Sequence, residues 1–151
     1  MRNQGKYVEM LNLIPTEKII ERLRYENPWW ISKKIPETYS SMSKRLYFDL
    51  FYPFVNEKNI KRALVLMGPR RVGKTVMLFH SIEELLGEGI NPHKIFFVGI
   101  DNPIYVNLGL EDILTLCRQS LALDHLNGSY VFFDEIQYNQ FHLLIIFHLN
   151  Y

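Results

Sequence analysis

Apolar positions along the chain switch repeatedly between a helical and a strand-like period. After an irregular stretch over residues 1–15, Ile19, Ile20 and Leu23 recur at helical spacing until Asn27-Pro28 stops them. Thr16 is placed to cap this helix, with Glu17 in its first turn. Trp29-Trp30 follows, a pair that could stack on a base but more commonly anchors a segment to a core. Residues 31–43 are polar, with Pro36 and several serines, and read as a loop. Lys44 to Val55 is dense in aromatics and reads as a short helix broken at Pro53. A purine could be sandwiched there, although core packing is the preferred reading.

The second part of the chain alternates strand and helix. Ile60 to Met67 is apolar almost throughout after Arg62, as a strand buried on both faces should be. Lys74 to Leu86 places Leu78, Ile82, Leu85 and Leu86 on one helical face, and Gly87, Gly89 and Pro92 stop it. Lys94 to Ile100 is a second strand, closed by Asp101-Asn102-Pro103. Glu111 to about Ala122 is a helix with Ile113, Leu114, Leu116, Cys117 and Leu121 inward, and Asn127-Gly128 is a turn. Ser129 to Phe133 is the third strand. This alternation predicts an α/β fold with a parallel sheet and flanking helices, preceded by a helical N-terminal segment.

Composition narrows the picture only slightly. The chain's net charge of +1 gives no indication of nucleic acid or membrane binding. Residues 1–62 carry 12 Lys and Arg against 7 acids, and residues 63–151 carry 5 against 9. Two oppositely charged halves read first as packed, solvated faces. The single cysteine, Cys117, permits no disulfide within the chain and reads as a small buried hydrophobe, consistent with a cytoplasmic setting. No signal peptide and no run long enough to span a membrane is evident. The five histidines show no metal-ligand spacing.

The stretch that carries chemistry lies between the first strand and the next helix. Gly68-Pro69-Arg70-Arg71-Val72-Gly73-Lys74-Thr75-Val76 contains G-x-x-x-x-G-K-[ST] in a strand–loop–helix context. Its two glycines let successive backbone N–H groups curl inward toward phosphate oxygens. The helix beginning near Lys74 contributes its positive end. Lys74 can reach the β- and γ-phosphates, and the Thr75 hydroxyl can ligate Mg²⁺. Chance would place these fixed positions in well under ~1 in 50 chains of this length. Arg70 and Arg71 could touch nucleotide, a neighbouring subunit or only solvent.

A second constellation closes the third strand. Tyr130-Val131-Phe132-Phe133 runs into Asp134-Glu135 at the sheet edge where ligands of open α/β folds gather. Asp134 would hold Mg²⁺ through water, and Glu135 would activate the water attacking the γ-phosphate. Asp101, which also ends a strand, reads as a turn residue.

Together, Gly68-Pro69-Arg70-Arg71-Val72-Gly73-Lys74-Thr75 and Phe132-Phe133-Asp134-Glu135-Ile136-Gln137 resemble the prokaryotic AAA-type ATPases with a GPRxxGKT loop and a DEIQ second motif. The Asn27-Pro28-Trp29-Trp30 leader and Asp101-Asn102-Pro103 resemble them too. The resemblance implies a P-loop NTPase-type sheet ordered 5-1-4-3-2, ATP and Mg²⁺ as cofactors, and Lys74, Thr75, Asp134 and Glu135 as phosphate, metal and hydrolysis residues. It leaves open a homo-oligomer or a protein partner. It also implies an arginine supplied by a neighbouring subunit or a later segment, and a polar sensor on the fourth strand. Neither can be located in this sequence, so hydrolysis does not follow from the motifs alone, and a catalytically inactive remnant or nucleotide-binding interaction module is the alternative.

The resemblance covers residues 16–138 and divides the chain into a helical, aromatic segment over 1–59, a partial ATPase core over 60–138 and an atypical apolar tail over 139–151. The tail has no charged residue, where the family carries a polar helix. A frameshifted or truncated product is the expectation, checked by sequencing the encoding locus. An empty fourth-strand slot would separate Asp134 from Lys74 and leave two bare strand edges. Leu143 to Leu149 is the material available to fill it. The link after Glu135 is too short for a right-handed crossover. The tail is therefore expected either to fold back antiparallel into the slot or to continue as a helix, and the family pattern favours the helix.

Overall fold

The computed structural model describes residues 14–59, 62–138 and 141–149; the irregular stretch expected at the start of the chain falls outside these as far as residue 13. Helix α1 spans Thr16–Glu26 and buries Ile19 and Leu23. Thr16 is its first helical residue, not its cap; Pro15 holds the cap position and makes no side-chain capping bond. Residues 31–43, expected as a loop, take in the end of one single-turn helix, α2 (Trp29–Ser32), and the whole of another, α3 (Glu37–Ser40). Helix α4 (Phe48–Val55) runs through Pro53 instead of breaking there. The proline costs one backbone bond, and the helix ends two residues later.

Four strands form one sheet: β1 (Ala63–Gly68), β2 (Ile95–Gly99), β3 (Ser129–Tyr138) and β4 (Phe141–Leu149), in the order β1-β4-β3-β2. Two longer helices accompany them, α5 (Lys74–Gly87) after β1 and α6 (Leu110–Ser120) after β2. Strand β3 lies parallel to β2, with Ile95 opposite Tyr130 and Gly99 opposite Asp134. Strand β4 is antiparallel to both of its neighbours. The sheet is thus mixed, where an all-parallel one was expected.

The tail is a strand in the vacant slot, and the helix favoured by the family pattern does not form. Tyr138 pairs with Phe141, so β3 and β4 make a hairpin with two residues between the strands. A connection that short can only reverse direction. The alternation of buried Leu144 and Ile146 with half-buried Ile145 and Phe147 then seats the segment between two strands. The same pairing draws β3 out to Tyr138, well beyond the expected end at Phe133.

The core is centred on β2 and β3. Ile95, Phe96, Val98, Val131, Phe132 and Phe133 have no solvent exposure. Strand β1 departs from the doubly buried expectation: Val65 is 45% and Met67 56% exposed. Among the described residues it has a strand on one side only, and the face carrying these two side chains is uncovered.

The opposite edge of the sheet is closed by side chains. The Asn27 carboxamide oxygen accepts from Phe97 N at 2.6 Å and its nitrogen donates to Phe97 O at 2.9 Å. One side-chain amide thereby does for β2 what a neighbouring strand's peptide would do. Both indole N–H groups of Trp29 and Trp30 donate to Ile95 O, at 3.0 and 2.9 Å. The tryptophans are anchors, as the preferred reading held. Trp29 also meets Phe79 of α5 edge-on, and Phe79 stacks on Tyr39 at 4.0 Å between centroids. Through these rings the N-terminal helices are fixed to the helix that follows the glycine loop. Cys117 is fully buried, and burial pushes its thiol up to about 12. Among the described residues no helix is long and apolar enough to cross a membrane.

Candidate functional site

Strand β1 ends at Gly68, and α5 starts at Lys74. The intervening turn needs two left-handed residues, Arg71 (φ 64°) and Gly73 (φ 93°). Glycine meets the second requirement without a side-chain clash. At Gly68 the limit is space: a Cβ there would lie 3.3 Å from the Val72 side chain and 3.9 Å from the Lys74 stem. Pro69, Arg70, Arg71 and Val72 are exposed on the outside of the turn. Val76 is buried, so only its backbone N–H is offered to the loop.

Lys74 is nearly buried, and its ammonium donates to Gly68 O at 3.0 Å and Pro69 O at 2.6 Å. The cation is held by the loop's own carbonyls. Thr75 Oγ1 donates to Asp134 Oδ2 at 2.7 Å. This contact crosses the width of β4 and joins two sequence positions 59 residues apart. The filled fourth slot thus keeps the two constellations within hydrogen-bonding reach.

Asp134 is 4% exposed, and burial holds its carboxyl above the usual carboxylate range. The Thr75 hydroxyl and the Glu135 N–H, 2.9 Å from Oδ1, pull the other way, while the charges of Glu135 and Asp101 add to the upward push. A buried carboxylate with acidic neighbours is a place where a divalent cation relieves repulsion. A hydroxyl and a carboxylate oxygen 2.7 Å apart are a hard-oxygen pair suited to Mg²⁺. Asp101 lies in the turn after β2, close enough for its charge to be felt at Asp134.

Glu135 occupies an unusual backbone position. Phe133 pairs with Ile145 and Ile136 with Leu143, so Asp134 and Glu135 together face Leu144. This is a β-bulge, and Glu135 has φ 60°. Bulges redirect side chains where strands meet functional sites.

Two features of the site escaped the sequence. The first is Arg45. A Cβ on Gly73 would fall 2.9 Å from Arg45 Cζ and 3.0 Å from Nη2, so the guanidinium sits on the loop's second glycine. No spacing rule links a residue ahead of α4 to that glycine; the only hint was its place in a basic half of the chain. The second is the fate of the aromatics. Phe48 enters the core, but Tyr47, Leu50 and Phe54 are exposed. With Leu66, Val72 and Met77 they line an apolar cavity of about 410 Å³ that reaches Lys74. Core packing, preferred from the sequence, holds for Phe48 and for the half-buried Phe51 and Tyr52, and not for these three.

A βαβ sheet with a glycine loop at one strand end and a buried acid at another defines a nucleotide-loop type of α/β protein. A family model described as an AAA domain matches residues 60–148, and the chain belongs to that family. The matched range takes in all but the last residue of β4, the antiparallel strand. No curated protein and no solved structure matches the chain. Membership implies a nucleotide-binding, ATPase-type character.

Proposed function

We propose that the chain binds Mg-ATP at Gly68–Val76 and that Glu135 activates water for γ-phosphate hydrolysis. The observation that carries the reading is the 2.7 Å bond from Thr75 to Asp134, because a metal held between hydroxyl and acid needs those two groups together. Backbone N–H groups of Gly73 to Val76 would receive the phosphates, and Lys74 would leave the loop carbonyls for the β- and γ-oxygens. Arg70 and Arg71 stand outside the turn, where a phosphate tail or a neighbouring subunit could be met. The apolar cavity beside Lys74 offers the base a surface. Mg²⁺ would supply charge neutralisation between the phosphate oxygens, with Thr75 and Asp134 as its protein ligands. A cytoplasmic setting is part of the same proposal, since a buried, inert Cys117 asks for no oxidising compartment.

One observation favours a second reading, nucleotide binding without turnover. Gly68 pairs with His142, so β4 presents its N-terminal end at the edge where the loop and acids lie. A parallel strand would present its C-terminal end there, the place from which a sensor would act. A fluorescent ATP-analogue titration with and without Mg²⁺, beside a phosphate-release assay, tests both readings. Lys74→Ala is expected to weaken binding at least ~10-fold, and unchanged affinity would remove the loop assignment. Glu135→Gln should bind normally and release no phosphate. Equal turnover by this variant and the wild type would remove Glu135 from the base role, and no turnover by either would favour the binding module.

A further inference from the structure

We propose that Arg45 is a phosphate-binding residue of this site, closing over Gly73 from the segment before α4. The inference rests on the reading of Gly68–Val76 as a nucleotide loop. Three observations lead to it. Gly73 lacks a side chain and adopts φ 93°, and the space its Cβ would enter holds the Arg45 guanidinium. An arginine fork therefore lies against the backbone whose N–H groups are directed at an anion.

The position is built, not incidental. The preceding residue, Lys44, pairs with Glu84 of α5, and its ammonium lies 4.8 Å over the Phe48 ring. Arg45 O accepts from Phe48 N at 2.9 Å, starting the turn that leads into α4. Lys44, through Glu84, and Phe48, edge-on to His80 of α5, thus tie the segment to the loop helix, with Arg45 against Gly73.

The charge balance then points to a ligand. Among the described residues no acid and no hydrogen-bond acceptor pairs with the Arg45 guanidinium. It lies against Gly73, the residue that caps the positive end of α5. A cation held at the positive end of a helix is repelled by it unless an anion lies between them. Planar guanidinium N–H groups fit phosphate oxygens bidentately, and a phosphate in the loop completes the balance. The family resemblance asks for an arginine from a neighbouring subunit or a later segment; this one comes from upstream in the same chain.

The test uses the full chain as wild type and as two variants, Arg45→Ala and Arg45→Lys. Each is titrated with a fluorescent ATP analogue plus Mg²⁺ over a series of salt concentrations, then challenged with inorganic tripolyphosphate as competitor. Arg45→Ala is expected to weaken both ligands about tenfold and to flatten the salt dependence, with Arg45→Lys recovering part of each. Thermal unfolding without ligand should stay within ~1–2 °C of wild type, as for an exposed side chain. Unchanged affinity overturns the proposal, as does tighter binding, which would make the guanidinium a plug. Loss of ATP-analogue affinity without loss for tripolyphosphate overturns it too, by assigning the contact to the base. If wild type binds neither ligand, the loop reading itself fails and Arg45's role fails with it.

Discussion

Glu135 gives a stability test in which backbone and side chain can be separated. Its φ of 60° places a non-glycine residue in the left-handed region, inside a bulge. That conformation costs an L-residue roughly 1–2 kcal/mol. At an ordinary strand position the comparison runs the other way, and glycine is worse than alanine by about 0.5–1 kcal/mol. The two effects oppose each other at residue 135, and the larger one should win. Glu135→Gly is therefore expected to be more stable than Glu135→Ala by about 0.5–1 kcal/mol. Both variants lose the carboxylate, so its own contribution cancels in the difference. In urea the gap appears as a midpoint difference of roughly 0.3–0.5 M at a typical slope. Ile136, the next residue on β3 and free of positive φ, is the control, where Ile136→Gly should be the less stable of its pair. An alanine variant at 135 equal to or more stable than the glycine variant would refute the argument that the acid sits in a strained bulge.

Two further perturbations address the frame around the site. Asn27→Ala removes three buried hydrogen bonds and leaves Phe97 N–H and C=O unpaired; a loss of about 2–4 kcal/mol in urea unfolding is expected, and a loss below ~0.5 kcal/mol would mean that water or a backbone shift replaces the amide. Glu26 is buried beside Tyr105 and Arg22, and burial raises its carboxyl above the ordinary 4.5, outweighing the Tyr105 hydroxyl and the Arg22 charge. The folded state then takes up the proton first, so this group's penalty is absent below about pH 4.5, grows as pH rises through the raised folded value and is complete above it. Melting curves should show Glu26→Gln gaining on wild type with rising pH across that window, and a flat difference would contradict the assignment.

Much of this architecture was legible from local chemistry. Gly68, Gly73, Lys74 and Thr75 announce a strand–loop–helix turn, because few other residues satisfy its backbone and spacing. The apolar runs of β2 and β3 were equally readable, since doubly buried strands tolerate little else. The direction of β4 was harder. Its residues suit a buried strand of either sense or a buried helix, and only the two-residue hairpin decides between them. Family pattern pulled toward the helix, and connection length prevailed. The bulge at Asp134-Glu135 depends on register with β4, a tertiary property that no local residue encodes. Arg45 was invisible for the same reason: its contact with Gly73 is made by how α4's approach is tethered to α5.

The unequal treatment of the sheet's two sides sets how many sheets it can join. At β2 the Asn27 amide and two indoles consume the hydrogen-bonding groups another chain would need. At β1, among the described residues, the outer row of peptide groups has no strand partner, and Val65 and Met67 stand beside it. For the four described strands, edge-to-edge association therefore has a valence of one. Two such sheets meeting along β1 would each turn a sealed flank outward, and the assembly would terminate as a pair instead of propagating as a fibril.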